Sequence, residues 1–166
     1  RAHLREAVPH RRDFAFDPAE LEAAFGNRTK AIVINTPNNP TGKVFSESEL
    51  AQVAALCAGD SWLESGANLI LFGPPGGGKS HLASAMGLAL LEKGWRVLFA
   101  RTSDLGQKLQ VARRELALEA ALSRLERFDL LILDDITYVS KDQAETSVLF
   151  ELISARYEQR SMLITA

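Results

Sequence analysis

The feature that most constrains this chain is the segment GPPGGGKS at residues 73–80. It follows the apolar run NLILFG and precedes a segment with helical apolar spacing, so its glycines fall at the turn between a strand and a helix. Backbone N–H groups of small residues, together with the positive end of a helix, form a site for phosphate oxygens. The segment therefore predicts a phosphate-binding loop; a chance glycine-rich turn is the alternative interpretation.

Strand-like and helix-like segments alternate from Gly59 to the end of the chain. The predicted strands are NLILFG, RVLFA, FDLLILDD and SMLITA. Residues 79–94 and 142–160 each have a helical pattern, and residues 102–127 fit one long or two short helices. Near-continuous apolar strands separated by amphipathic helices predict a mainly parallel sheet covered on both faces, a three-layer α/β/α sandwich.

The residues predicted to bind phosphates run from the first glycine of the loop into the following helix: Gly73, Pro74, Pro75, Gly76, Gly77, Gly78, Lys79, Ser80 and His81. In such a loop the lysine reaches the terminal phosphates and the hydroxyl ligates Mg²⁺. Lys79 is therefore a candidate catalytic residue and Ser80 a candidate metal ligand. His81 has no partner at metal-ligand spacing, so no metal role is expected for it.

The strand LLILDD ends in two acidic residues, Asp134 and Asp135. The carboxyl ends of parallel strands lie in the crevice where ligands bind. We expect Asp134 to hold Mg²⁺ and Asp135 to orient or deprotonate an attacking water, as the second candidate catalytic residue. The alternative is that one of the two only caps the following turn.

Composition limits the other functions that the chain can have. The net charge of −2 and the pI near 6.0 exclude a strong overall attraction to nucleic acid or membranes, so any DNA contact must be local. The single cysteine, Cys57, excludes an internal disulfide framework. No leader and no apolar run of about 18 residues is found, which predicts a cytoplasmic protein without a membrane partner.

From about Gly59 to Ala166 the chain resembles the AAA+ core of IstB-type transposition helper ATPases, relatives of the DnaC helicase loaders. The likeness includes GPPGGGKS and LLILDD and extends into KDQAETSVLFELI. The resemblance implies binding of ATP and Mg²⁺, self-association, and binding of double-stranded DNA in support of a transposase. It also implies a polar sensor residue just after Ala166, a fifth core strand and an arginine finger, none of which can be matched. We therefore expect a core truncated before its fifth strand, with weak hydrolysis by the chain alone.

The DNA contacts implied by the resemblance fall on the helical region between the second and third core strands. Arg113 and Arg114 are the first candidates among its basic residues. Acidic residues share the segment, namely Glu115, Glu119 and Glu126. An ordinary solvated helix face is the alternative interpretation.

Residues 1–58 resemble a different family, the fold-type I aminotransferases of the kynurenine and aspartate group. In that family the asparagine of the N-P-x-G motif contacts pyridoxal phosphate (PLP). In the segment INTPNNPTGKVF this residue is Asn39. A PLP enzyme also needs a Schiff-base lysine and an acidic partner for the pyridinium nitrogen, and neither can be matched downstream. Neither PLP binding nor transamination is therefore expected, and Asn39 is interpreted as a vestigial contact. A fusion, a misassembled reading frame and a deliberate chimera remain alternative origins.

The chain is thus divided into an aminotransferase-like βα appendage at 1–58 and an ATP-binding core at 59–166. We expect the strand AIVI (31–34) to pair in parallel beside residues 69–73 and cover an edge of the sheet, since unpaired edges invite aggregation. The preferred function is that of an ATPase core. A nucleotide- or DNA-binding fragment without turnover and an incomplete PLP enzyme remain the alternatives.

Overall fold

The computed structural model describes residues 31–35, 61–64, 66–136 and 143–166, together with isolated positions between Ala19 and Ala55. The isolated positions Ala19, Ala23, Ser48, Ala51 and Ala55 have helical backbone. Asn39 and Cys57 lie outside the described residues.

Five strands form one sheet, and every described strand pairing is parallel. The strands are β1 (Ala31–Asn35), β2 (Asn68–Phe72), β3 (Val97–Arg101), β4 (Leu130–Asp134) and β5 (Ser161–Thr165). Their order across the sheet is β1-β2-β5-β4-β3. The described helices are α1 (Ser61–Glu64), α2 (Lys79–Glu92), α3 (Thr102–Arg114), α4 (Leu118–Leu125) and α5 (Gln143–Arg156). None of them is long and apolar enough to cross a membrane.

Helices cover both faces of the sheet, which gives the predicted three layers. Alternate residues of a strand point to opposite faces, and every residue of β4 is buried. Helices α1 and α2 cover one face, with a core that includes Trp62, Met86, Leu90, Ile132 and Leu163. Helices α3, α4 and α5 cover the other, with a core that includes Leu109, Leu125, Leu131, Leu133, Leu152 and Met162.

Strand β1 lies at one edge of the sheet, beside β2. The pairing is parallel, with Ala31 opposite Asn68 and Asn35 opposite Phe72. The expectation that AIVI covers a sheet edge is therefore confirmed, with the partner strand spanning 68–72. This pairing joins the aminotransferase-like segment to the core through backbone hydrogen bonds.

The helical region 102–127 consists of two helices, one of the two predicted alternatives. Leu116, between α3 and α4, has a φ of 56° and is 97% exposed. A left-handed backbone at a leucine cannot continue an α-helix, so the chain turns there. The break directs α3 and α4 to pack separately on the same face of the sheet.

Candidate functional site

The loop GPPGGGKS leaves the carboxyl end of β2 and enters α2 at Lys79. Its first residue is tied to the neighbouring strand, because Gly73 N donates to Ala166 O at 3.2 Å and Ala166 N donates to Leu71 O at 2.9 Å. The loop therefore lies where β2 and β5 meet. This is the edge of a parallel α/β sheet at which ligands bind.

Two glycines of the loop have backbone conformations that other residues rarely adopt. Gly76 has a φ of 78° and Gly78 a φ of 81°. A Cβ atom built at either position would meet no protein atom within 4 Å, so space for packing does not explain the glycines. They are needed for the left-handed backbone of the loop, beside which the structure leaves open space.

The N-terminus of α2 has hydrogen-bond donors without an acceptor in the described part of the protein. Gly78 is the N-cap residue and makes no side-chain capping hydrogen bond. The first amide of the helix with a described backbone acceptor is Leu82, which donates to Gly78 O at 2.9 Å. Within the described residues, the amides of Lys79, Ser80 and His81 have no acceptor, and such orphan donors at a helix start form an anion site. This arrangement fits a phosphate group.

The Lys79 ammonium folds back over the loop. Its Nζ donates to Gly73 O at 2.6 Å and to Pro74 O at 2.9 Å. A lysine is a compact point charge with three donors and is a common phosphate ligand. The loop thus holds the ammonium through two of its own carbonyl oxygens, and the role of Lys79 toward phosphates remains a prediction.

The metal-ligand candidates Ser80 and Asp134 are brought into contact. Ser80 Oγ donates to Asp134 Oδ1 at 2.8 Å, although the two residues are 54 positions apart in the chain. Among the described residues no group of three His, Cys, Asp or Glu side chains could hold a metal. Mg²⁺ in nucleotide sites needs only one or two protein oxygens, because phosphates and water complete its shell. The Ser80–Asp134 pair fits such an ion.

Two threonines that the sequence analysis did not single out also hold Asp134. Thr165 Oγ1 donates to Asp134 Oδ1 at 2.7 Å, and Thr102 Oγ1 donates to Asp134 O at 2.9 Å. Both threonines are almost completely buried. A polar residue at the carboxyl end of an otherwise apolar strand, as in SMLITA, is the signal that would have identified Thr165.

Asp135 adopts a left-handed backbone with a φ of 63° and is exposed at the carboxyl edge of the sheet. Its backbone N–H donates to Thr165 Oγ1 at 2.7 Å. Non-glycine residues in this conformation cluster at functional sites, and aspartate tolerates it better than most. Its role toward water remains a prediction.

The two DNA-contact candidates differ in their surroundings. The Arg113 guanidinium donates to Ser147 Oγ at 3.0 Å and forms an ion pair with Glu151, so it already joins α3 to α5. Arg114 is exposed and has no ion pair among the described residues. Of the two, Arg114 is therefore the arginine whose charge is not paired with another described residue.

A parallel sheet between two helical layers, with a phosphate loop after one strand and a hydroxyl–carboxylate pair beside it, defines a P-loop nucleotide-binding protein of the AAA+ type. The model of the family IstB-like ATP binding protein matches residues 43–166, three-quarters of the chain. The chain belongs to this family.

Relatives of the core are proteins of bacterial insertion sequences. An insertion sequence ATP-binding protein of Sinorhizobium fredii is 77% identical over 70% of this chain and 39% of its own length. The IS21 ATP-binding protein of Pseudomonas aeruginosa is 41% identical over 66% of this chain and 41% of its own length. The chain thus spans about two-fifths of the length of these two insertion-sequence relatives.

Solved structures support the same fold. The crystal structure of the DnaC helicase loader has a TM-score of 0.60 and 29% identity, covering 78% of this chain and 75% of that one. The replication initiator DnaA, bound to AMPPCP and single-stranded DNA, has a TM-score of 0.58 and 23% identity, covering 74% of this chain and 40% of that one. The second likeness concerns the fold alone.

The beginning of the chain matches a second family, Aminotransferase class I and II, over residues 3–63. Kynurenine–oxoglutarate transaminase 1 of Mus musculus is 62% identical over 27% of this chain and 11% of its own length. The two family matches meet in one polypeptide, as expected for a chimeric chain. Both include residues 43–63, so the boundary at 58 and 59 stays a prediction.

Proposed function

We propose that this chain binds ATP together with Mg²⁺ as the ATPase core of an insertion-sequence transposition helper. The observation that carries the proposal is the contact between Ser80 and Asp134 directly beside the orphan amides of the phosphate loop. Either feature alone could be structural. Their juxtaposition supplies anion donors and a metal-ligand pair at one edge of the sheet.

In the proposed complex the amides of Lys79, Ser80 and His81 donate to phosphate oxygens. The Lys79 ammonium exchanges its hydrogen bonds to Gly73 O and Pro74 O for the terminal phosphates. This exchange is favourable because a phosphate carries full negative charge, whereas a carbonyl is only a dipole. The hydrogen-bond partners of the Lys79 ammonium therefore depend on whether nucleotide is bound.

Ser80 Oγ and Asp134 would hold the ion. Bound Mg²⁺ supplies neutralisation of the charge that develops on the phosphates. Asp135, the residue after the last residue of β4, carries an exposed carboxylate that can orient water and accept its proton. In this assignment Asp134 serves metal binding and its neighbour Asp135 serves hydrolysis.

The test compares ATP binding with phosphate release in the same preparation. Lys79→Ala is expected to weaken ATP binding by about tenfold or more, because it removes a charged hydrogen-bond donor. Asp135→Asn is expected to retain binding and lose release. Absence of ATP binding by the unmodified chain would refute the proposal.

Nucleotide binding without turnover is the second candidate function. No arginine among the described residues hydrogen-bonds to the loop or to Asp134, and an arginine near the terminal phosphate contributes roughly 10³ to 10⁵ in rate in related enzymes. The same experiment distinguishes the candidates. Tight ATP binding with release at the level of Asp135→Asn would favour this second function.

We also propose double-stranded DNA and a transposase as partners, because the relatives are named as insertion-sequence proteins. Arg114 is the preferred DNA contact, since Arg113 is paired with Glu151. Fluorescence anisotropy with labelled duplex DNA tests this choice. Arg114→Gln should weaken binding equally across sequences and reduce the salt slope by about 1. Arg113→Gln is the matched control, and a larger effect for it would overturn the choice.

A further inference from the structure

Thr165 occupies a junction between the two acidic residues of the site. It is the last residue of β5 and is 1% exposed. Its hydroxyl contacts Asp134 Oδ1 at 2.7 Å and the backbone nitrogen of Asp135 at 2.7 Å. One buried hydroxyl therefore touches the candidate metal ligand and the residue that follows it.

The direction of these two hydrogen bonds is determined by chemistry. A backbone N–H can only donate, so Thr165 Oγ1 accepts from Asp135. A hydroxyl has one hydrogen, and an ionised carboxylate can only accept, so that hydrogen goes to Asp134 Oδ1. The threonine thus relays a hydrogen bond from the Asp135 backbone to the Asp134 carboxylate.

The pattern at Asp134 separates the tasks of its two oxygens. Oδ1 accepts from both Ser80 at 2.8 Å and Thr165 at 2.7 Å. Oδ2 accepts no hydrogen bond from any described residue. Two hydroxyl donors on one oxygen fix the rotation of the carboxylate and leave the other oxygen available to an incoming cation or its water shell.

The same hydroxyl supports the backbone of Asp135. A left-handed conformation is unfavourable for an L-residue and persists where surrounding contacts hold it. The bond from Asp135 N to Thr165 Oγ1 is such a contact. It fixes the backbone of Asp135 where the chain turns away from β4. It thereby fixes the position from which the Asp135 side chain extends.

We propose that Thr165 is a positioning residue that presets Asp134 for Mg²⁺ and Asp135 for water, and so couples nucleotide affinity to the metal. The inference rests on the proposed nucleotide–Mg²⁺ function of the site. Thr165 acts through the two carboxylate residues and is not itself a ligand. Groups that orient metal ligands typically change metal affinity by about 10- to 100-fold when they are removed.

The experiment measures binding of a fluorescent ATP analogue to the full chain in excess Mg²⁺ and in EDTA. Thr165→Val keeps the shape and removes the hydroxyl, whereas Thr165→Ser keeps the hydroxyl. We expect the Val variant to bind about tenfold more weakly in Mg²⁺ and unchanged in EDTA, with a higher Mg²⁺ half-saturation. The Ser variant should remain within about threefold of the unmodified chain, since it retains the relay.

Ser161→Ala is the matched control, because Ser161 is a buried hydroxyl residue at the opposite end of the same strand. It is expected to change thermal stability without changing the ratio of the two affinities. If Thr165→Val does not fold, Thr165→Ala removes the same hydroxyl without adding volume and is measured instead.

Equal weakening in Mg²⁺ and EDTA would assign Thr165 a purely structural role and overturn the inference, as would no change in either condition. These results differ from failure of the proposed function. In that case the unmodified chain itself would not bind the analogue in Mg²⁺.

Discussion

Ser80 Oγ lies 2.8 Å from Asp134 Oδ1, and this hydrogen bond joins the first turn of α2 to the end of β4. Strand β5 lies between β4 and β2, the strand that precedes the loop, and its Thr165 donates to the same oxygen. The contact therefore depends on the strand order, which brings the ends of β2, β5 and β4 to one edge. The candidate metal-ligand pair thus consists of residues that are distant in sequence.

Ser80→Ala should selectively remove the contribution of Mg²⁺ to nucleotide binding. The substitution deletes one metal ligand but leaves the orphan amides of the loop intact. We expect ATP affinity in Mg²⁺ to fall by about tenfold or more and affinity in EDTA to be unchanged. Isothermal titration in the two buffers measures this. Ser84→Ala, one helical turn later, is the control, and an equal loss in both buffers for Ser80→Ala would contradict the prediction.

Gly78→Ala should lower both stability and nucleotide binding. Its φ of 81° would place an alanine in the left-handed region, at a cost of about 1–2 kcal/mol. Gly94→Ala is a matched control, because Gly94 also has a positive φ, of 91°, and no atom within 4 Å of an added Cβ. Urea denaturation should give similar losses for both variants. Only Gly78→Ala should weaken ATP binding, and a similar weakening by Gly94→Ala would argue against a local effect.

Arg156→Met should be strongly destabilising. The buried Arg156 guanidinium donates to Leu125 O, Phe128 O and Ser161 O, and so joins the end of α4 to the start of β5. Burial, with a smaller effect of Arg160, lowers the pKa of Arg156 to about 10, so it stays charged at neutral pH. Removing it leaves buried carbonyls unpaired, at roughly 1–3 kcal/mol each.

The free energy of unfolding from urea titration measures the effect of Arg156→Met. Arg160→Met is the control, because its ion pair with Asp129 is partly exposed and should contribute about 1 kcal/mol or less. Equal effects of the two substitutions would show that the buried hydrogen bonds are not what Arg156 contributes.

Asp129 should make stability depend on acid pH. Hydrogen bonds from the Arg96 side chain hold the pKa of Asp129 below its ordinary value of 3.8. Because the folded pKa is lower than the unfolded one, the stabilisation is complete above about pH 4 and is lost as pH falls through the folded pKa. The difference in unfolding free energy between the unmodified chain and Asp129→Asn should therefore shrink from pH 7 to pH 3. A constant difference would exclude this titration.

Deletion of residues 1–58 should promote association of the core. It removes β1 and leaves β2 as an unpaired edge strand, a template for pairing with another chain. Size-exclusion chromatography with light scattering at several concentrations would reveal the association. A shortened chain that stays monomeric with unchanged thermal stability would contradict the proposed edge-covering role.

The local patterns of the sequence predicted most of the elements, and they identified the loop and the carboxylates of the candidate site. Alternating apolar strands and amphipathic helices imply a parallel sandwich, because their periodicity is a property of neighbouring residues. The loop 73–80 and the acidic end of β4 were recognisable for the same reason, since spacing along the chain determines their chemistry. The pattern over 102–127 left one or two helices open, and the left-handed Leu116 determines that there are two.

Only the tertiary structure determined which side chains meet. Thr102 and Arg156 carry no signal in the sequence, and Thr165 carries only its place at the end of an apolar strand, yet strand order brings the two threonines to Asp134 and helix packing buries the arginine among carbonyls. The packing of α3 on α5 likewise pairs Arg113, one of the two candidates for DNA contact, with Glu151. Such contacts join residues far apart in the chain, so no local period encodes them, and they follow from the geometry of the packed layers.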